Sequence, residues 1–209
     1  MSLSSTRFGT LFIVSAPSGA GKTSLVKALT EDLPELAVSI SHTTRLMRQG
    51  EIEGSDYYFL EPEAFSAMVD AGAFLEHARV FDNFYGTSRE SVEKNLQQGR
   101  DVILEIDWQG ARQVRLKMPK AQSIFILPPS LQTLEARLRK RGQDNDVTIS
   151  RRMADAIAEM SHFGEFDYLV VNDHFDLALQ ELKSIVVASR LEVFQQSRTH
   201  SRLIEGLIG

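Results

Sequence analysis

The run Ala16-Pro17-Ser18-Gly19-Ala20-Gly21-Lys22-Thr23 constrains the fold of this chain more than any other stretch. It follows a short apolar, β-rich segment, Thr10 to Ser15. It opens a stretch from Lys22 to Leu33 that reads as a helix. A strand that stops in a Gly-rich turn and re-enters as a helix aims backbone N–H groups and the positive end of a helix dipole at one point, which suits a phosphate. Gly19 and Gly21 give the backbone the freedom such a turn needs. Lys22 reaches toward the β- and γ-phosphates, and the Thr23 hydroxyl is a natural Mg²⁺ ligand. The spacing is that of GxxxxGK[ST], with Ala16 in place of the first Gly. Residues 16–23 are therefore expected to bind a nucleoside triphosphate. A loop of this kind defines a nucleotide site and leaves the reaction open.

Three later apolar runs, Asp101 to Ile106, Ser123 to Leu127 and Tyr168 to Val171, are continuous, as strands buried on both faces are. Helical patterns cover Ala111 to Lys117, Leu131 to Arg141, Ile149 to Phe163 and Phe175 to Gln196. The alternation predicts an α/β fold, a P-loop NTPase core with a parallel sheet flanked by helices. Two segments depart from it. Residues 39–98 are richer in Gly, Tyr and polar residues and read as a small mixed α/β acceptor-binding insertion. Residues 130–160 carry arginine-rich helices around a turn and read as a helical lid. The core is then 1–38, 99–129 and 161–209. The end, Ser197 to Gly209, is expected to be a tail or a contact in a homo-oligomer.

Composition narrows the partners. A net charge of −5 gives no broad basic field, so nucleic acid is not an expected partner. There is no cysteine, which excludes disulfides and thiolate metal sites. The first residues lack the apolar run of a signal peptide. No stretch approaches the ~20 apolar residues that span a bilayer. A cytoplasmic protein with no membrane partner is the expectation. The five histidines have no metal-ligand spacing and read as ordinary polar or packing residues; Trp108 and the phenylalanines read as core.

The stretch after the loop narrows the reaction. Arg45 and Arg48 stand three residues apart, and Tyr57 follows. Two guanidinium forks and a phenol suit a phosphate monoester dianion. Further on come Glu76 and the run Tyr85-Gly86-Thr87-Ser88. A carboxylate accepts from guanine N1–H and N2–H₂, and a hydroxyl donates to O6. Adenine would leave the carboxylate unpaired. Taken singly, Arg45, Arg48 and Glu76 read as solvated charges; as an ordered set behind the loop they read as a site.

These runs, with Gly50-Glu51, Gly54-Ser55-Asp56-Tyr57, Glu105-Ile106-Asp107-Trp108-Gln109-Gly110 and Val171-Asn172-Asp173, resemble the guanylate kinase family from about Gly9 to Gln196. The resemblance implies Mg²⁺-dependent transfer of the ATP γ-phosphate to GMP. It places Ser41, Glu76 and Thr87 at the guanine, and Arg45, Arg48, Tyr57 and Tyr85 at the GMP phosphate. Glu105 and Asp107 are implied near the guanine and the metal without a division of roles between them, so Asp107 is a candidate Mg²⁺ ligand beside Thr23. Arg137, Arg141 and Arg152 match the arginines that clamp ATP, and Asn172 a residue near the adenine. Arg139 lies between Arg137 and Arg141 on the helix and points away from their shared face. The acceptor is already an anion, so no strong base is needed. Lys22, Mg²⁺ and Arg45, Arg137, Arg141 and Arg152 would share the charge of the transferred group. Rival readings are a P-loop kinase for another phosphorylated acceptor, such as a sugar phosphate or AMP, a non-catalytic protein-binding module, and a regulatory GTPase.

Overall fold

The computed structural model describes residues 7–80, 82–140 and 145–209. In chain order the elements are β1 (Leu11–Ser15), α1 (Lys22–Asp32), β2 (Leu36–Val38), β3 (His42–Thr43), β4 (Tyr58–Phe59), α2 (Pro62–Asp70), β5 (Phe74–Val80), β6 (Asn83–Ser88), α3 (Arg89–Gln97), β7 (Asp101–Glu105), α4 (Trp108–Lys117), β8 (Gln122–Leu127), α5 (Leu131–Lys140), α6 (Asp146–Met160), β9 (Tyr168–Val171), α7 (Phe175–Arg190), α8 (Val193–Thr199) and α9 (Ser201–Ile208).

Five strands form a parallel sheet in the order β2-β7-β1-β8-β9. β1 sits in the middle, in register with β7 through Phe12 and Ile103 and with β8 through Ile13 and Ser123. All five residues of β1 are buried, which is why its sequence runs apolar without alternation. Phe12 and Val14 face α1 and α7 across one core, with Leu25, Leu29, Leu182 and Val186. Leu11 and Ile13 face the other, with Val92, Leu96, Leu104 and Val114. Each such side chain contributes roughly 1.5–3 kcal/mol by leaving water.

The sheet is tied at its lower end by Asp101. Its carboxylate is fully buried and accepts from Thr10 N (2.8 Å), from Arg190 Nε (2.8 Å) and from Arg7. The start of β1, the start of β7 and the end of α7 thus meet on one charge.

A second sheet, β4-β3-β6-β5, lies within residues 39–98. Its β5 carries a bulge: Phe74 pairs with Ser88, Glu76 pairs with Thr87, and Leu75 is the extra residue. Three successive side chains are buried there instead of every other one. Phe74 stacks on Phe65 of α2, at 4.6 Å between ring centres, while Leu75 enters the main core. Helix α3, although inside 39–98, also packs Val92 and Leu96 into the main core.

Several expectations need correction. The helix read over Phe175 to Gln196 is broken: α7 stops at Arg190, Leu191 closes it, and α8 starts at Val193. The segment from Ser197, expected as a tail or a contact in a homo-oligomer, is helical as the end of α8 and as α9, whose Leu203 and Leu207 are exposed. Helix α4 begins at Trp108, a turn before the expected Ala111, because the Asp107 carboxylate caps Gly110 N at 2.7 Å. Among the described residues no helix is long and apolar enough to cross a membrane.

Candidate active site

The loop after β1 is shaped by two glycines with positive φ, Gly19 at 92° and Gly21 at 95°, a region that L side chains rarely adopt. Each is also crowded. A Cβ on Gly19 would lie 3.0 Å from Leu134 and Leu138 of α5, and one on Gly21 would lie 2.4 Å from Asn172 Nδ2. Asn172 follows β9 and is buried beneath the loop, where its Nδ2 donates to the Ala20 carbonyl at 2.7 Å. The residue expected beside adenine thus buttresses the loop in this structure. Lys22 opens α1. Burial lowers its ammonium pKa, and Glu105, Asp107 and Glu159 oppose that shift. Thr23 Oγ1 donates to Glu105 Oε2 at 3.3 Å.

A cavity of about 350 Å³ joins this loop to the second sheet. Lys22, Thr23 and Glu105 line one side, and Ser41, Tyr57 and Thr87 line the other. Residues far apart in sequence therefore share one space. A larger cavity, about 400 Å³, lies at the opposite end of β1 between Phe8, Met118 and Gln195 and holds none of these groups.

In the acceptor half, Glu76 is 6 % exposed, and the Thr87 hydroxyl donates to its Oε1 at 2.6 Å. Burial pushes the Glu76 carboxyl pKa up, partly countered by that hydrogen bond; Asp107 adds to the rise. The Thr87 proton is committed to Glu76, so in this pairing Thr87 offers a ligand lone pairs and Ser41 is the hydroxyl left to donate. Gly110 stands against the carboxylate: a Cβ there would lie 3.2 Å from Glu76 Oε2. Arg45 is held by Glu51 at 2.6 Å, with its guanidinium 5.5 Å from the Tyr57 ring centre. The Arg48 backbone N–H donates to the same Glu51 at 2.8 Å, leaving its exposed side chain at the rim. Tyr85 packs edge-on to Tyr57 at 5.9 Å. Burial raises the Tyr57 pKa, so the phenol stays a donor.

The lid arginines also reach the loop. Arg137 donates to the Asn172 carbonyl at 3.0 Å and, more weakly, to that of Ala20 at 3.4 Å; Arg152 donates to Ser18 Oγ at 2.8 Å. Arg139 faces away and pairs with Glu135 and Asp146, as its phase on the helix requires. Arg141 lies outside the described residues. Sequence reasoning missed Glu159. Two turns beyond Arg152 on α6, its carboxylate faces the Ser18 backbone N–H and Lys22, and its buried Oε2 has no hydrogen-bond partner among the described residues. It missed Asp56 in the cavity wall too. Trp108, expected in the core, is only half-buried and stacks on His162, 3.6 Å between ring centres. The run Glu105 to Gly110 was the available signal, since it packs two carboxylates, a ring and a glycine into one strand-to-helix junction.

A Gly-rich loop at the top of a parallel sheet, a second polar pocket facing it and arginines from α5 and α6 reaching the loop are the arrangement of a P-loop kinase. Comparison with known proteins makes the assignment specific. The guanylate kinase family model matches residues 9–189. The guanylate kinase of Methylococcus capsulatus is 58% identical over 201 residues, covering 96% of this chain and 98% of that one. That of Escherichia coli is 57% identical over 202 residues, with the same coverage. The crystal structure of guanylate kinase from Anaplasma phagocytophilum superposes with a TM-score of 0.72 at 33% identity, covering 90% of each chain. The chain belongs to the guanylate kinase family.

Proposed function

We propose that this enzyme transfers the γ-phosphate of ATP to GMP, giving ADP and GDP. The observation that carries the reading is the single cavity in which Lys22 and Thr23 face Ser41, Tyr57 and Thr87. ATP lies along the loop formed by Ala16, Pro17, Ser18, Gly19, Ala20 and Gly21, with its phosphates on the backbone N–H groups and Lys22. GMP sits against the second sheet. Its phosphate meets Arg45, Arg48, Tyr57 and Tyr85. Its N1–H and N2–H₂ face the Glu76–Thr87 pair, and Ser41 donates to O6. The resulting units are a core of 1–38, 99–129 and 161–209, a GMP-binding subdomain of 39–98 and a lid of 130–160.

The GMP phosphate is an anion at neutral pH and attacks without a strong base. The protein holds donor and acceptor in line and neutralises the equatorial oxygens. Arg45 approaches from the acceptor side, and Arg137 and Arg152 approach from the lid. Arg137 donates to the carbonyls of Ala20 and of Asn172 beneath the loop, and Arg152 reaches Ser18 Oγ; these are neutral acceptors, and an anionic phosphate makes stronger hydrogen bonds to a guanidinium than they do. The Thr23 hydroxyl beside the Glu105 carboxylate fits Mg²⁺, a hard cation that keeps most of its waters and takes few protein ligands. Asp107, whose Oδ1 accepts from Gly110 N, would hold the metal from the same strand-to-helix junction. Bound Mg²⁺ would supply positive charge that neutralises the ATP phosphates. We place the enzyme in the cytoplasm, with these nucleotides as its partners.

The test is a coupled assay of ADP release with ATP and Mg²⁺, offering GMP, AMP, CMP or UMP. Turnover with GMP alone is expected. Turnover with another acceptor discards the guanine assignment, and folded protein that binds ATP but turns over none discards the kinase.

A further inference from the structure

The lid helix α6 reaches the phosphate loop through Arg152 and Glu159, yet neither residue explains what holds the helix at the right height. The structure holds a separate group of side chains at its foot. His162, one turn after Glu159, stacks on Trp108 with ring centres 3.6 Å apart and planes 13° from parallel. The Arg112 guanidinium lies 4.6 Å from the centre of the same indole. Glu165, in the turn that follows α6, joins the two: it receives both Arg112 Nε and Nη2 at 2.6 Å and contacts His162 Nδ1 at 2.7 Å. Arg115 donates to the Glu165 carbonyl. A fork-to-fork pair of this kind fixes orientation as well as distance. The carboxyl of Glu165 is accordingly held down to about 2 by Arg112 and then His162.

None of these residues lines the cavity between the loop and the acceptor half. Their position in the chain gives them a role nonetheless. Trp108 is the first residue of α4 and directly follows Asp107, and Glu105, which receives Thr23, ends the strand just before. The foot of the lid is thus bolted to the junction that carries the two carboxylates facing Lys22. From Arg152 to Met160 the chain is one continuous helix of about 1.5 Å per residue, and His162 follows two residues after its end, so anchoring His162 restrains the C-terminal end of α6.

We propose that Trp108, Arg112, His162 and Glu165 form a clamp that roots α6 on the β7–α4 junction and thereby positions Arg152 for phosphoryl transfer. They are positioning residues. The inference rests on the reading of Arg152 as a phosphate-neutralising group.

Trp108 is the only tryptophan in the chain, so the clamp carries its own reporter. The experiment compares Arg112→Ala and Glu165→Gln, each alone and combined with Arg152→Ala, by steady-state kinetics and tryptophan emission. Each clamp variant is expected to change Trp108 emission and lower kcat about tenfold, because small misplacements of a charge-neutralising group are costly. The KM for GMP should stay within about twofold, since the acceptor pocket is untouched. In the Arg152→Ala background the further loss in kcat should shrink below about twofold, because nothing is left to misplace. A purely structural role would instead give the same proportional loss in both backgrounds, and that result overturns the clamp. So does full kcat in a variant whose emission shows the stack undone. If Arg112→Ala fails to fold, the nearly isosteric Glu165→Gln decides. An unchanged kcat in Arg152→Ala alone would remove the phosphate role from Arg152 and this inference with it; that failure is told apart because it needs only the single variant.

Discussion

Replacing Glu76 by Gln tests the guanine pocket and the electrostatics of its burial together. The carboxylate is 6 % exposed and already accepts the Thr87 proton at 2.6 Å, so its remaining lone pairs face the ligand. Gln keeps the volume, spends its carbonyl on Thr87 and presents an NH₂ to guanine donors. At least one charge-assisted hydrogen bond is lost, worth about 1.5–3 kcal/mol, and a donor is left facing a donor. With about 1.4 kcal/mol per decade, kcat/KM for GMP should fall roughly 10- to 150-fold. IMP lacks the 2-amino donor and should lose less. The empty protein should respond in the opposite sense. Burial raises the folded-state pKa of Glu76 above its unfolded value, so the stability it contributes is present at low pH and fades as pH rises through the raised pKa. Glu76→Gln should therefore raise Tm more at pH 7 than at pH 4. In the native enzyme GMP affinity should weaken as acid neutralises the carboxyl. Equal losses of kcat/KM for GMP and IMP, or no loss at all, would refute the reasoning.

Three further perturbations follow from the geometry. Lys22→Ala should cut kcat by about 10³-fold or more while circular dichroism stays native, since in the proposed mechanism Lys22 supplies charge to the transferred group and not packing; turnover within tenfold would remove it from the mechanism. Gly21→Ala forces a Cβ to 2.4 Å from Asn172 Nδ2 at φ 95°, so ATP binding measured by calorimetry should drop below detection even if the sheet persists. Asp101→Ala leaves two arginines without their buried partner and should cost about 3–5 kcal/mol, seen as a Tm roughly 10 °C lower with kcat unchanged at 20 °C.

The parallel core was legible because burial on both faces writes itself as unbroken apolar runs, and the loop because its glycines are spaced by backbone need. The edge strand β2 was not, since three residues after Glu35, itself at φ 60°, carry no periodic signal. The burial of Glu76 was hidden for a different reason. A bulge at Leu75 lets Phe74, Leu75 and Glu76 all turn inward, and nothing in Phe-Leu-Glu-His announces it. Trp108 misled because a large aromatic after an apolar strand is usually core; here it faces a histidine from the turn after α6, about fifty residues away in sequence. The break at Leu191 was invisible because the apolar pattern continues through it. Glu159 looked like any acidic residue on an amphipathic helix until α6 was laid over the loop.

The amide of Asn172 under the loop has a consequence for biosynthesis. Ala20 is made early and its support 152 positions later, so a ribosome has finished most of the chain before the nucleotide cradle can close. A contact of such sequence separation forms late and makes the site one of the last parts of the molecule to mature. Truncated chains that stop short of β9 would fill neither Gly21's neighbour nor the partner of Arg137, and would release into the cell as proteins that cannot sequester ATP.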